Sequence, residues 1–272
     1  MRYFSTIQGT QSARGMKSMF EFAQETKAQL VRWLIHLRRE PFNIAFNLLN
    51  PVILLIFMGG AFQSYAPASA GGDYRAYLLP GILALTAFGN SMAGGIPLLF
   101  DKENGVLLRL MTAPISRSSI LVGRFLAVNI NTVLQCLIIL VLGLLFGVRV
   151  ATGAGGVLTI LGINLLLGFG VTVISMVLAF TLHGHGDFFA IIGITALPLT
   201  FLSSAFVPLA SLPHWMQLVA RLNPMTYAVE GMRALVLLDW NRRLLLEISL
   251  VLIVFDALIF WAGSRVLRRH LA

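Results

Sequence analysis

One charged stretch, FDKENGVLLRLMTAPISRSSILVGR (Phe100–Arg124), stands between two long apolar runs of this chain. It contains two acidic residues, four basic residues and the helix-breaking pair Ala113-Pro114. The flanking runs, Tyr77–Leu99 and Ile120–Gly147, are each long enough to cross a hydrocarbon core of ~30 Å at ~1.5 Å per helical residue. The sequence therefore predicts two membrane-spanning helices joined by a charged, partly helical hairpin.

The composition of the whole chain is that of a polytopic membrane protein. Of its 272 residues, 57% are hydrophobic and only 11% are charged, whereas soluble domains carry about a quarter charged residues. The predicted fold class is all-α, with residues 1–42 as a cytoplasmic N-terminal segment and residues 43–272 as one transmembrane domain. About six spans are predicted: Asn43–Ser64, Tyr77–Leu99, Ile120–Gly147, Val157–Leu182, Phe188–Leu209 and Leu244–Gly263.

Lysine and arginine are distributed unequally between the two sides that these spans define. Fourteen of the 20 precede the first span, lie in the quoted hairpin or follow the sixth span, and six lie on the other side. Because cytoplasmic loops carry the excess of Lys and Arg, both termini and the hairpin are predicted to be cytoplasmic. The net charge of +9 is then interpreted as attraction to anionic membrane lipid and not to nucleic acid.

The segment Gln24–Arg39 has the pattern of an amphipathic helix that ends before Glu40-Pro41. Its apolar residues recur at helical spacing at Leu30, Trp33, Leu34 and Leu37. Such a helix is expected to lie in the cytoplasmic interface with its apolar face in lipid. A simple basic anchor before the first span is the alternative.

Within the hairpin, Asn104-Gly105 is a turn signal and Val106–Met111 is long enough for about two helical turns. Ala113-Pro114 stops this helix, and Ser116 is placed to cap the helix that leads into the next span. Two interpretations follow from these residues: a short helix that docks on another protein, or a solvated loop between spans.

Several catalytic and binding motifs are missing from the sequence. None of the three lysines stands in a G-x-x-x-x-G-K-[ST] phosphate loop. The run His183-Gly-His185-Gly-Asp187 brings three potential metal ligands together, but its two glycines also suit a polar turn that contacts a partner. Asp256 is the ionisable residue deepest within a predicted span, so it is either part of a transport path or a hydrogen-bond donor to a neighbouring helix.

The hairpin resembles the cytoplasmic signature of type-2 ABC exporter permeases, of the form E-x-G-T-L-E-x-L-x-x-[ST]-P-[IV]-[ST]-R. Val106 and Leu108 stand where Thr and Glu are usual in that signature. The positions that match are Glu103, Gly105, Leu107, Leu110, Pro114, Ile115, Ser116 and Arg117.

A second segment, Pro208–Leu235, carries in order Pro213, Trp215, Asn223-Pro224, Thr226-Tyr227 and Arg233. In this order it resembles the extracellular segment that follows the fifth span in the same family, with its closest likeness among drug-resistance and nodulation-type export permeases. Four prolines break the helices in this segment and just before it: Pro198, Pro208, Pro213 and Pro224. Short re-entrant helices within residues 208–238 are expected, as an extracellular gate or as a structural lid. The gate candidates are Pro208, Pro213, Trp215, Asn223, Pro224, Tyr227 and Arg233.

The resemblance implies a permease subunit of an ATP-driven exporter in the bacterial inner membrane, with a plastid membrane as the alternative. Two copies of a separate nucleotide-binding subunit would bind ATP and Mg, a second permease subunit would complete the pore, and this chain would hold no cofactor or metal. The hairpin, residues 100–120, would couple the two kinds of subunit. The coupling candidates are Asp101, Lys102, Glu103, Gly105, Leu107, Arg109, Leu110, Met111, Pro114, Ile115, Ser116 and Arg117.

The expected cargo is an amphiphile, such as a drug, a lipid or a lipid-linked saccharide, because the predicted spans contain few charged groups. Two other functions remain open at the level of sequence. An ion-gradient-driven secondary transporter would need no partner ATPase, and a membrane scaffold or assembly factor would transport nothing.

Overall fold

The structure, a computed structural model, describes residues 19, 21–35, 38–39, 41–65, 72–106, 109, 117–182 and 184–271. All the regular secondary structure of these residues is helical. Helix α1 covers residues 21–35. The others are α2 (Pro41–Ile53), α3 (Tyr74–Met92), α4 (Ile96–Glu103), α5 (Arg117–Leu145), α6 (Gly153–Thr181), α7 (His185–Phe201), α8 (His214–Leu222), α9 (Pro224–Leu237) and α10 (Arg242–Leu271). The predicted all-α polytopic membrane fold is confirmed.

Four stretches of the described residues are long and apolar enough to cross a membrane: Tyr74–Glu103, Ser118–Leu145, Gly153–Thr181 and Arg242–Val266. They correspond to the second, third, fourth and sixth predicted spans. The helix after the hairpin begins at Arg117, the residue that follows the predicted cap Ser116 in the sequence.

The fifth predicted span forms a shorter apolar helix, His185–Phe201. The first, Asn43–Ser64, is helical from Pro41 to Ala61: the α-helix passes Pro51 and then widens into a π-helix at Leu54–Met58. In the fifth, Pro198 lies inside α7, and the helix ends at Phe201, well before the predicted Leu209. Proline removes one backbone hydrogen bond and crowds the preceding turn, which accounts for the widening after Pro51 and for the early end of α7.

The core is built around α3, which packs against α5, α6 and α9. Its side chains Tyr77, Leu78, Leu79, Ile82 and Leu83 are almost fully buried. A polar side chain at a helix interface in an apolar protein needs a partner. Asn90 of α3 accordingly donates to Gln135 Oε1 of α5 at 3.2 Å.

A turn of 3-10 helix, Ala93–Gly95, separates α3 from α4. The hydroxyl of Ser175 on α6 serves both sides of this break: it accepts from the amide of Gly95 at 2.8 Å and donates to the carbonyl of Met92. The charged triplet Asp101–Glu103 forms the last turn of α4. Asn104 and Gly105 then form the predicted turn, with Gly105 at a φ of +68°, a region that side-chain-bearing residues seldom adopt.

One residue of the predicted lipid-facing side of α1 packs against protein. The buried side chains of the helix are Thr26, Gln29 and Trp33, which face the rest of the protein. They pack where α5 carries Gly123: a Cβ at that position would come within 2.6 Å of the Gln29 Cβ. The exposed apolar side chains of α1 lie on another face of the helix. They are Phe22, Val31 and Ile35. Hydrophobic spacing identifies a helix but cannot distinguish lipid from protein as the neighbour of its apolar face.

Candidate functional site

The last turn of α4 is where elements distant in sequence meet, and we call this part of the protein the ion-pair end. Asp101 Oδ2 accepts from Arg32 Nη2 of α1 at 2.5 Å. Both side chains are partly buried, and they lie 69 residues apart in the chain. This ion pair joins the N-terminal helix to the end of the second span.

The neighbouring Lys102 binds the end of a different helix. Its Nζ donates to the carbonyls of Phe180 and Leu182 at 2.9 and 2.8 Å. These carbonyls lie in the last turn of α6 and just beyond it, where helix carbonyls have no intrahelical donor and carry partial negative charge. The lysine therefore caps the C-terminus of the fourth span.

Glu103 binds the start of a third helix. Its Oε1 accepts from the backbone amide of His185 at 3.0 Å, and His185 Nδ1 lies 2.9 and 3.0 Å from its two carboxylate oxygens. The residue before His185 is Gly184, which has no side chain with which to cap α7. Glu103 thus supplies, from α4, the negative group that a helix N-terminus prefers.

Arg124 of α5 completes the ion-pair end. Its Nε donates to the carbonyl of Gly94 at 2.8 Å. Its guanidinium lies 4.5 Å from the ring of Trp33, and that of Arg32 lies 4.6 Å from the same ring. Trp33 is therefore held by cation–π contacts with one arginine of its own helix and one from the third span.

Three consecutive residues thus bind three separate elements: Asp101 binds α1, Lys102 binds α6 and Glu103 binds α7. The turn at Asn104-Gly105 leads directly from this triplet into the rest of the hairpin. Beyond it, Val106 and Arg109 are helical, and the Arg109 amide donates to the Gly105 carbonyl at 3.2 Å. The triplet and the rest of the hairpin are therefore contiguous in the chain.

Much of the predicted coupling surface lies outside the described residues. This applies to Leu107, Leu110, Met111, Pro114, Ile115 and Ser116, to the side chain of Arg117, and to His183 of the predicted polar turn. The role of the hairpin stays a prediction. Of that polar turn, His185 is bound to Glu103.

At the opposite end of the bundle, Arg233 of α9 is the centre of a buried network. Its Nη2 donates to the carbonyl of Ser204 at 2.7 Å, and its Nη1 lies 3.2 Å from Glu230 Oε1. Its guanidinium stacks over the ring of Tyr77 at 3.8 Å. The arginine is 7% exposed. It therefore links α9 to α3 and to the irregular segment that follows α7.

Asn223 fixes the start of α9. Its Oδ1 accepts from the Met225 amide at 3.0 Å as the N-cap of the helix. Its Nδ2 donates to the carbonyls of Leu199 and Leu202 at 2.6 and 2.9 Å, at the end of α7. One amide side chain therefore satisfies both the freed carbonyls of the fifth span and the first turn of the next helix.

The remaining gate candidates occupy the start and the surface of the short helices. Pro208 and Pro213 precede a 3-10 turn and α8, and Pro224 is the first residue of α9. Trp215 is 62% exposed. Tyr227 Oη donates to the Arg221 carbonyl at 2.8 Å.

Sequence reasoning missed the polar side chains that are uncharged. A cavity of about 520 Å³ lies between α2, α3 and α7. Its walls are mostly apolar but include amides and hydroxyls of Asn47, Asn50, Thr86, Asn90, Gln135 and Thr200. The signal was present in the sequence as Asn and Gln within apolar runs, which a count of charged residues does not register.

Comparisons with known proteins agree with this arrangement. Residues 24–237 match the family model described as ABC-2 type transporter. The chain is 36% identical to the putative transport permease ycf38 of Porphyra purpurea, over 82% of this chain and 77% of that protein. It is 28% identical to the daunorubicin resistance ABC transporter permease protein DrrB1 of Streptomyces coeruleorubidus, over 77% and 74% respectively.

A third relative is the probable doxorubicin resistance ABC transporter permease protein DrrC of Mycobacterium tuberculosis, 26% identical over 78% of this chain and 76% of that protein. The region matched by the family model contains most of α1, from residue 24 on, the hairpin and the whole Arg233 network.

Proposed function

Because the chain belongs to the ABC-2 type transporter family, we propose that it is the transmembrane permease subunit of an ATP-driven exporter. Two copies of a separate nucleotide-binding subunit bind ATP and Mg, and a second copy of this chain completes the pore. The protein lies in a bacterial inner membrane with both termini in the cytoplasm. Family membership supports an ATP-binding partner, and the excess of Lys and Arg at both termini and in the hairpin supports the orientation.

The observation that carries the proposal is the arrangement of Asp101, Lys102 and Glu103. They bind α1, α6 and α7 through side chains that follow one another in the last turn of α4. A partner that pushes on the hairpin thereby moves the N-terminal helix and two apolar helices together. Such rigid-body displacement between two packed states is how nucleotide-driven machines transmit closure of one part to another.

The hairpin itself is the surface on which the partner docks. Leu107, Leu110 and Met111 supply apolar contact, and Arg109 and Arg117 supply charge. Gly105 and Pro114 set the shape of the segment. The support for these roles is the similarity of the hairpin to the family signature and its position directly after the triplet.

The cargo is amphiphilic. Support comes from the cavity between α2, α3 and α7, whose walls combine aromatic and aliphatic side chains with uncharged polar groups. Two relatives are named for resistance to daunorubicin and doxorubicin. The segment that contains Asn223 and Arg233 closes the outer end of the path.

The experiment first identifies the ATPase that co-purifies with the chain. Transport is then measured with that ATPase present. We expect the ATPase to bind the wild-type chain and Leu110→Asp to abolish binding and vanadate-sensitive transport together. Trp215→Ala, an exposed change at the opposite end of the bundle, is the matched control and leaves ATPase binding unchanged. Transport by the isolated chain along an ion gradient, indifferent to vanadate, would refute the proposal, as would full ATPase binding by the Leu110→Asp variant.

A further inference from the structure

A second cavity lies apart from the Arg233 network, and its lining on α5 begins at Phe125, the residue after Arg124 of the ion-pair end. It has a volume of about 820 Å³ and is lined by α5, α6 and α10. Its rim includes the exposed apolar side chains of Ile130, Leu165 and Ile253. The cavity therefore opens sideways on the apolar outer surface of the bundle, where the hydrocarbon of a bilayer would be.

Three phenylalanines, one from each helix, line this cavity. The ring centroids of Phe125 and Phe169 are 5.1 Å apart in an edge-to-face arrangement, and those of Phe169 and Phe260 are 6.2 Å apart. Aromatic rings present a negative face to which a cation is attracted. The wall is thus apolar and also suited to a positively charged guest.

The same cavity contains a carboxylate. Asp256 lies one helical turn before Phe260 on α10, so that the two side chains share a face. It is 7% exposed, and its Oδ1, which lies against the backbone of Gly170 of α6, makes no hydrogen bond within the described part of the chain. Asp256 takes part in no ion pair of the described residues.

A carboxylate in an apolar site is unfavourable unless a cation or hydrogen-bond donor compensates it, and at membrane depth it marks a functional site by default. The surrounding rings favour a cation over a neutral donor. The opening toward the bilayer favours a guest that dissolves in lipid. A small inorganic ion does not fit these conditions, because the walls supply almost no other oxygen ligands.

We infer that the cavity between α5, α6 and α10 binds a lipophilic cation, with Asp256 as its counter-ion and the three phenylalanines around its apolar body. The guest is an organic amine or onium ion that enters from the membrane. This site is separate from the cavity between α2, α3 and α7. Its occupation requires no ATP, so the inference goes beyond the proposed function and does not depend on it.

The test is equilibrium binding to the full-length chain in lipid nanodiscs, without any ATPase, corrected for empty nanodiscs. The probes are tetraphenylphosphonium, a lipophilic cation, and triphenylphosphine oxide, a neutral compound with a similar aromatic body. We expect Asp256→Asn, which removes the charge and keeps the shape, to weaken phosphonium binding about 10- to 100-fold. Binding of the neutral probe should change by less than about twofold.

Three further variants make the result decisive. Glu247→Gln removes a carboxylate from the same helix outside the cavity and should leave both probes unaffected. Asp256→Glu keeps the charge and should retain phosphonium binding. Phe260→Leu keeps the carboxylate and should weaken phosphonium binding several-fold.

Unchanged phosphonium binding by Asp256→Asn would overturn the inference. The inference would also be overturned if Asp256→Asn weakened the binding of both probes equally. The cavity would then be an apolar lipid-binding site whose shape the variant had altered. If Asp256→Asn fails to fold, the results for Phe260→Leu and Asp256→Glu decide. The inference would also be overturned if Phe260→Leu bound each probe as tightly as the wild type does.

Discussion

Replacement of Arg233 by glutamine should destabilise the protein far more than the same change at an exposed arginine. The matched control is Arg243→Gln on α10. Both arginines pair with a glutamate of their own helix at similar distances, 3.2 Å for Arg233 and 3.1 Å for Arg243. They differ in burial, since Arg233 is 7% exposed while the side chain of Arg243 is 92% exposed.

The decrease in the free energy of unfolding of Arg233→Gln can be worked out from the contacts that the substitution removes. The 2.7 Å hydrogen bond from Arg233 to the Ser204 carbonyl joins a charged donor to a buried acceptor, and such bonds contribute about 1.5–3 kcal/mol. The cation–π contact with Tyr77 adds roughly 1–2 kcal/mol where it is desolvated. The pair with Glu230 adds less than about 1 kcal/mol, because the glutamate side chain is 43% exposed and solvent screens the pair. We therefore expect a loss of about 3–5 kcal/mol.

The control, Arg243→Gln, should lose little free energy of unfolding, because an exposed arginine–glutamate pair contributes about 0.3–0.5 kcal/mol. Arg233→Lys should fall between the two, since an ammonium keeps the charge but not the planar set of donors. For a chain of this size, a loss of 3–5 kcal/mol corresponds to a melting temperature lower by roughly 6–20 °C.

The assay uses the single cysteine of the chain as its reporter. Cys136 is fully buried in α5, so a thiol-reactive fluorophore labels it only when the helices separate. Labelling is followed on heating for the wild type and for the three variants in one lipid or detergent. Equal melting temperatures for Arg233→Gln and Arg243→Gln would refute the reasoning, because burial of the network would then have no energetic consequence.

Three further predictions concern the ion-pair end. Glu103→Gln should lower transport per ATP hydrolysed while the ATPase still binds, because α7 loses the charge at its first turn; unchanged coupling would contradict this. Gly123→Ala should displace α1 and raise protease cleavage within it, whereas Gly193→Ala, whose new methyl group meets open space, should not. A double-mutant cycle between Arg32→Gln and Asp101→Asn should give a coupling free energy of about 0.5–1 kcal/mol by melting, and a value near zero would contradict the ion pair.

The long spans were predictable because apolar length is a local property of the sequence. The fifth span was predicted too long, although Pro198 is visible in the sequence. A proline inside an apolar run kinks some helices and ends others, and the outcome depends on which neighbours satisfy the freed carbonyls. At the end of α7 that neighbour is Asn223, more than twenty residues away in sequence.

The contacts of the charged triplet within the chain were not predictable. Contact of Asp101, Lys102 and Glu103 with a partner protein stays a prediction, and in the structure all three bind parts of this chain. Their partners lie 69 to 82 residues away, a separation at which no periodicity carries information. A charge next to a span marks the membrane surface and leaves its partner undetermined.

For Arg233, the residue itself was singled out from the sequence but its partner was not. The resemblance of the segment 208–238 to a family motif placed it among the gate candidates, and the structure finds it at the centre of a buried network. Its partner Tyr77 was not predicted, because an aromatic residue near the start of an apolar run is also an ordinary membrane-interface residue. The pairing depends on how α9 packs on α3, which only the tertiary structure specifies.

The 3-10 turn at Ala93–Gly95 has a mechanical consequence. The second span is not one continuous rod, since its regular hydrogen bonding is interrupted there and Ser175 of the neighbouring span holds both sides of the break. We expect α4 to rotate as a short rigid segment about its contact with Ser175. A force on Asp101–Glu103 would turn α4 about that serine while the deeply packed α3 stays in place.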